Sequence, residues 1–540
     1  MRLENPKVLI EYCKLLFNIN KVYGSIMVVN QLKAGAFLSY ISIVLHNIIG
    51  LLYTPFMLRM LGQSEYGLYS LVESVVAYLT ILDLGFGNAI IRYTAKFRAE
   101  GKVQEQWEMF GMFFMLYVVI GIVAFAAGLI LYFNTDSMFS NTMDEEEMYK
   151  INVMMLLMVF NIAFTFPMSI WGAIITAYEN FVFQKMVGIV RIILNPAVMI
   201  VLLQIGYKAI AMVVATTIFN VVTLLINYWY CKNKLQIKVR FGHFKWGFFK
   251  EVSIYSFWMF LNSIMDRIYW STGQFVLGMF KGATVVAVYA VAIRLQGIYM
   301  GFSTAISGVF LPKVTGMVAK GNSEKEVSDL FVRTGRIQYI VMAFVLTGFI
   351  IFGKQFICIW AGQEYVESYW IALCFFVPLT VPLIQNLGIT ILQARNQMRF
   401  RSTLYVIIAL LSLCISIPLA KQYGGIGCAV GTSIALILGQ IIIMNIYYQK
   451  VIHIEISRFW KEIGKMSVSP ILIGLLFCFI IYKIEIDSVA KLVLGIISFC
   501  IVYWPIFWRF GMNRYERDLF AEPFLRLAYR LASKNDRNQG

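Results

Sequence analysis

Along most of this chain, apolar residues come in runs of about twenty, parted by short polar stretches. Fourteen runs stand out, near 34–58, 67–91, 107–133, 150–177, 183–204, 208–231, 251–278, 283–311, 336–361, 367–393, 403–420, 425–449, 467–484 and 489–509. A bilayer core of about 30 Å needs about 20 apolar residues when a helix crosses it, and a helix satisfies its own backbone hydrogen bonds. A transmembrane barrel would instead show segments of about ten residues with alternating polarity. The pattern predicts an all-α polytopic membrane protein of about fourteen transmembrane helices, numbered here as spans. Residues 1–33 mix charged and apolar positions. VLIEYCKLLFNINKV (8–22) reads either as an amphipathic helix on the membrane surface or as a tail leading into span one, and no cleavable leader is expected. SEKE (323–326) has the capping-box pattern and predicts a short surface helix.

Composition sharpens this picture. Hydrophobic residues make up 60% of the chain and charged residues only 14%, against roughly 25% charged in soluble domains. The net charge of +17 reads as basic loops on an anionic leaflet, not as a nucleic-acid surface. With the N-terminus inside and fourteen spans, the inner segments hold 35 of the 46 basic residues. Both termini are then cytoplasmic, and the one acidic loop, DSMFSNTMDEEEMYK (136–150), falls outside. None of the eight cysteines lies in a CxxC or Cys/His cluster, and the three histidines are scattered. No metal, disulfide or cofactor chemistry is signalled.

Six ionisable residues sit within spans, away from their ends: Glu73 and Asp83 in span two, Arg191 in span five, Asp266 and Arg267 in span seven, and Arg294 in span eight. Each costs roughly 2.5–3.5 kcal/mol at mid-bilayer on insertion scales, so each needs a partner or a wet cavity. Three are acidic and three basic, and pairing between helices is one reading. Adjacent Asp266 and Arg267 point about 100° apart on a helix, so they do not satisfy each other simply. Arginine's fixed charge and planar fork suit a phosphate oxygen, which is the other reading. Asp83 stands in DLGFGNA, where Gly85 and Gly87 permit close helix approach and local unwinding. It reads as a packing motif or as a gate residue.

LGQSEYGLYSL (61–71) runs through a span to AEGK (99–102), and LGMFKGATVVAVYAV (277–291) runs through a span to AKGN (319–322). The offset is 216 at the LG pair and 220 at the later glycine, which suggests a parallel duplication of six spans. The stretch RMLGQSEYGLYSLVESVVAYLTILDLGFGNAIIRYTAKFRAEGK (59–102) resembles the N-terminal signature of the polysaccharide-exporting branch of the multidrug/oligosaccharidyl-lipid/polysaccharide exporter superfamily. That resemblance implies two MATE-like six-helix lobes, 34–231 and 251–449, with helices thirteen and fourteen (467–509) as an appendix. Residues 1–33 would then be an amphipathic segment and 510–540 a cytoplasmic tail.

The resemblance also implies a flippase of the bacterial inner membrane. Its substrate would be a polyprenyl-pyrophosphate-linked oligosaccharide, moved outward by alternating access. Membrane lipids and other polysaccharide assembly proteins are the further partners it implies. It places Arg191, Arg267 and Arg294 in a central cavity, with Glu73, Asp83 and Asp266 as cavity or gate acids. Coupling to H+, Na+ or the membrane potential stays open. A peptidoglycan-precursor flippase and a drug exporter of the same superfamily are the alternatives. A membrane glycosyltransferase or polymerase is disfavoured, because the acidic outer loop is short and has no basic or histidine partner, so no catalytic residue is assigned. Reporter fusions at Asn141 and Gly242 should report opposite sides of the membrane, Asn141 outside; the same side for both would overturn the span assignment.

Overall fold

The computed structural model describes residues 31–242, 246–307, 316–317, 323–395, 397–484, 486 and 488–522. The amphipathic segment expected at 1–33, save its last three residues, and the tail beyond 522 lie outside them. Among the described residues there is no strand. The main helices are α1 (Gln31–Ala77), α2 (Phe86–Ala99), α3 (Val103–Phe133), α4 (Glu145–Ala177), α5 (Phe181–Gln204), α6 (Ala209–Asn233), α7 (Trp246–Lys281), α8 (Ala283–Ser307), α9 (Glu324–Trp360), α10 (Glu367–Ile384), α11 (Leu387–Ala394), α12 (Met398–Leu436), α13 (Met444–Lys450), α14 (Ile456–Lys483) and α15 (Val489–Phe510).

Eleven helical runs are long and apolar enough to cross a membrane. Two of them break at a glycine, α1 at Gly62 (φ 77°) and α12 at Gly424 (φ 60°), leaving halves that each suffice for a crossing. With α7, 36 residues long, the layout is the expected one of about fourteen crossings in a multi-pass membrane protein. Gly62 and Gly282 (φ 85°) stand at corresponding junctions, between spans one and two and between spans seven and eight. They are 220 residues apart, the second of the two offsets seen in the sequence. A left-handed backbone demands glycine at the junction itself.

SEKE does form a capping box, Ser323 with Glu326, but it starts the 37-residue α9 and no separate surface helix. Hydropathy ends the apolar run there because of Arg333 and Arg336. Yet Val327, Leu330 and Phe331 are buried, and α9 packs on α14. Arg336 is compensated: its guanidinium meets Glu516 at 2.6 Å and Glu462 at 2.7 Å. Asn513 holds Glu516 from the other side, through its backbone N–H (2.9 Å) and its amide (3.1 Å). This buried cluster fastens the segment after α15 to α9 and α14.

Packing within each half of the chain is extensive: α3 on α4, α4 on α6 and α1 on α5 in the first, α7 on α12 and α8 on α10 in the second. In their most apolar stretches, 56% of residues are buried for α8 and 61% for the run through α10, against 17% for α5 and α15. The first two are central, and the last two leave most of their surface to lipid.

The halves meet along α1 and α8. A methyl group on Gly67 would overlap the Ala283 carbonyl, so glycine there permits backbone-to-backbone approach. Four side chains bond across to backbone carbonyls at this end: Arg59 to Ile359 (3.0 Å), Gln63 to Glu364 (2.8 Å), Trp360 to Leu51 (2.8 Å) and Thr142 to Gly278 (2.9 Å). At the opposite end, Arg98 to Ala177, Arg395 to Ile452 and Arg458 to Asp329 each stay within one half. The four bonds across form a clasp at the end that basic-residue counting assigns to the outside, and at the opposite end Phe86 of α2 packs on Phe249 of α7 across the boundary.

Within the first half, buried Glu65 accepts from the Ala209 N–H at 3.2 Å and pairs with Lys150 at 2.6 Å, tying α4 and α6 to the start of span two. Removing one partner of a buried ion cluster strands the other charge and costs about 3–5 kcal/mol, while replacing the cluster by apolar residues is often near neutral. Arg336→Met should therefore lower the thermal midpoint in detergent sharply. Arg336→Met with Glu516→Leu should recover most of the loss.

Candidate functional site

Depth along a helix follows from its rise of about 1.5 Å per residue. Gly50, Glu73 and Arg294 each lie eleven residues from the nearest junction at the clasped end, at Leu61, Gly62 and Ala283. That is about 16 Å of helix from the junction for all three. Arg267, fourteen residues from Lys281, is about 21 Å of helix from it.

The Glu73 side chain has open surface although protein surrounds it at longer range. A carboxylate facing lipid at this depth would be costly, so the open surface calls for water or a polar partner. Arg294 and Arg267 both lie close enough to Glu73 for charge to be felt between them. His46, one turn from Gly50, also lies in the field of Arg294. The Arg294 guanidinium rests directly over Gly50: a methyl group there would fall on its Nη2. Among the described residues, neither Arg267 nor Arg294 is in an ion pair. The structure thus brings Glu73, Arg267 and Arg294 into one field. Asp266 is on α7 beside Arg267, and its side chain lies outside the described residues.

Arg191 is elsewhere. On α5 it donates to the Asn220 amide oxygen of α6 at 3.1 Å. Asn220 in turn donates to the Asn161 amide oxygen and the Thr165 hydroxyl of α4, both at 2.7 Å. Arg191 is therefore embedded in an amide relay joining α4, α5 and α6, and no contact described here joins it to Arg267 or Arg294. Pro196 lies inside α5, which runs on unbroken to Gln204.

Asp83 is also apart from the central pair. Span two does not run through as one helix. It tightens to a 3-10 turn over Tyr78–Asp83, passes through left-handed Leu84 (φ 52°) and Gly85 (φ 73°), and restarts as α2. The Asp83 carboxylate accepts from the Tyr117 hydroxyl at 2.9 Å and from the Gly85 N–H. It sits at the start of α2, where the helix dipole favours an anion. Irregular backbone at membrane depth is tolerated where protein buries it, and Phe86, Phe113 and Tyr117 do so. The sequence signal for this break was DLGFG itself, an acid between apolar residues followed by two glycines.

What the sequence reading missed is Gly50. It carries no charge and no motif, and its place in the site exists only through the approach of α8.

A family model described as "Polysaccharide biosynthesis protein" matches residues 32–318, more than half of the chain. This chain belongs to the polysaccharide biosynthesis protein family. Within the exporter superfamily it falls in the polysaccharide-exporting branch that residues 59–102 resemble. A "Putative O-antigen transporter" of Shigella flexneri is 22% identical over 405 residues, 73% of this chain and 92% of that one. A "Probable low-salt glycan biosynthesis flippase Agl15" of Haloferax volcanii is 23% identical over 256 residues, 47% of this chain and 52% of that one.

Among solved structures, "Lipid II flippase MurJ, inward closed conformation" superposes with a TM-score of 0.67 at 16% identity, covering 91% of this chain and 99% of that one. A multidrug resistance MATE family transporter in an inward-facing conformation gives 0.58 at 14% identity, covering 78% and 96%. These likenesses show the fold of the superfamily.

The Asp83 contacts generate a stability prediction. Asp83→Ala should cost about 1–3 kcal/mol and Tyr117→Phe about 1 kcal/mol, since the first also leaves the Tyr117 hydroxyl unsatisfied. The pair should fall short of additivity by at least about 0.5 kcal/mol in a double-mutant cycle of unfolding midpoints. Strict additivity would show that the bond contributes nothing.

Proposed function

We propose that this family member flips a polyprenyl-pyrophosphate-linked oligosaccharide, an O-antigen, capsule or exopolysaccharide repeat unit, from the inner to the outer leaflet of a bacterial cell membrane. The observation that carries this reading is that two arginines, Arg267 of α7 and Arg294 of α8, are gathered near Glu73 of α1, away from the helix ends. Guanidiniums brought together within the spans would draw an anionic group to this place. A pyrophosphate offers two tetrahedral groups of acceptor oxygens, which the arginine fork matches bidentately. The names of the relatives, an O-antigen transporter and a glycan biosynthesis flippase, point the same way.

Residues 34–231 and 251–449 would act as two lobes, with 467–509 appended. The clasp described above would hold the outer side shut, so that a cavity between the lobes admits substrate from the inside, and rocking of one lobe on the other would open it outward. Glu73 would set the strength of the cationic field. Arg191 would act through the α4–α5–α6 relay, and Asp83 with Asp266 would serve the inner gate. Lipid surrounding the bundle and assembly enzymes presenting the glycan are the other partners this role needs. A drug exporter of this fold would need an acidic pocket for cationic compounds, which this site lacks among its described side chains. A peptidoglycan-precursor flippase would use the same cations on a different glycan.

A hydrogen bond to a charged group contributes about 1.5–3 kcal/mol, and about 1.4 kcal/mol is a factor of ten. In proteoliposomes loaded with an undecaprenyl-pyrophosphate-linked oligosaccharide, Arg294→Ala and Arg267→Ala should each slow translocation roughly ten- to hundredfold. Both should keep the wild-type amount of folded protein, and lysine should rescue in part. Wild-type translocation by both Ala variants would refute the cationic-site reading.

A further inference from the structure

Gly50 lies where the Arg294 guanidinium of α8 meets α1, one residue before the carbonyl that receives the Trp360 indole. The preceding turn of α1 carries His46, and the following residue, Leu51, offers its carbonyl to the Trp360 indole at 2.8 Å. Gly50 is itself buried. The atoms nearest to where its side chain would begin are Nη2, Cζ and Nε of Arg294, and no other atom comes as close. A helix interior ordinarily disfavours glycine against alanine, so a glycine kept under a guanidinium needs a steric reason.

We infer that Gly50 is a positioning residue: its missing side chain is the seat that holds the Arg294 guanidinium across the boundary between the halves. Arg294 reaches from α8 to α1, and its seat lies beside the α1 carbonyl that receives the clasp. The two are therefore made and broken together. While the clasped end is shut, the guanidinium is fixed over Gly50 and its free N–H groups keep one direction. When α1 and α8 part, the guanidinium loses its seat and its fixed direction. Its hold on an anion then weakens as the clasped end opens, which favours release on that side. This rests on the pyrophosphate reading for its consequence, though not for the seat itself.

The obstructing atoms are the tip of a flexible side chain, so one added methyl should displace Arg294 and leave the bundle in place. Alanine is also the better helix former, and Gly50→Ala should fold and keep its thermal midpoint. The test uses full-length protein in nanodiscs with two readouts. The first is the rate at which phenylglyoxal modifies Arg294, read by mass spectrometry with Arg59 as internal reference. It should rise several-fold in Gly50→Ala while Arg59 stays unchanged, and an unchanged Arg294 rate overturns the seat.

The second readout is the dissociation constant of undecaprenyl pyrophosphate in a cycle of wild type, Gly50→Ala, Arg294→Lys and the pair. Gly50→Ala should weaken binding about tenfold in the arginine background and no more than twofold beside lysine, whose ammonium lacks the branch that meets the methyl. Equal losses in both backgrounds also overturn the seat. Faster labelling, with no Arg294 variant affecting the dissociation constant, would keep the seat and refute the pyrophosphate reading. Should Gly50→Ala unfold on extraction, recovery of its midpoint by Arg294→Lys would show the same clash. Failure of the pair as well would overturn it.

Discussion

The cost of leaving a charge uncompensated in hydrocarbon governs this molecule more than any other single constraint. Every ionisable side chain within the spans has to find water, a partner or a set of hydrogen-bond donors, and the architecture can be read as the set of answers. Arg336 is neutralised by two glutamates and by that means fixes the segment after α15. Glu65 takes Lys150 and the first N–H of α6, and so ties three helices together at the clasped end. Asp83 takes a tyrosine hydroxyl and a helix N-terminus. Arg191 takes an amide relay. Glu73, Arg267 and Arg294 remain, and they share one field around open surface within the spans.

The same constraint accounts for the form of the contact between the halves. In lipid, helices gain little from the hydrophobic effect on association, and close packing with hydrogen bonds takes over. Gly67 lets α1 reach the backbone of α8, and the bonds around it run from side chains to backbone carbonyls. Bonds of this kind, each worth about 0.5–1.5 kcal/mol net, close an interface without committing buried ion pairs. Removing one partner of such a pair would cost several times more. An interface that opens, as the proposed transport would require, is better served by the weaker kind.

Much of this was legible along the chain because the bilayer imposes a length on apolar runs. The spans, the membrane class and the six intramembrane charges follow from residue type and spacing alone. So does the resemblance carried by residues 59–102. The surface helix expected at SEKE merged into α9, because compensation of Arg336 comes from Glu516, 180 residues away. The break after Asp83 was marked by its acid and glycines, yet a left-handed leucine at position 84 is invisible to hydropathy.

By itself, the sequence determined that the chain crosses the membrane about fourteen times, which charges it carries into the spans, and the family to which it belongs. These depend on the chemistry of single residues and on counting. The tertiary structure decided which charges are consumed by local partners and which stay together: Arg191 and Asp83 are held within the first half, while Glu73, Arg267 and Arg294 meet across the boundary. It also decided that Gly50, silent in the sequence, lies beneath a guanidinium. The physical reason is that pairing and close approach are properties of two helices at once, and residues 50 and 294 share a surface only because α1 and α8 are pressed together.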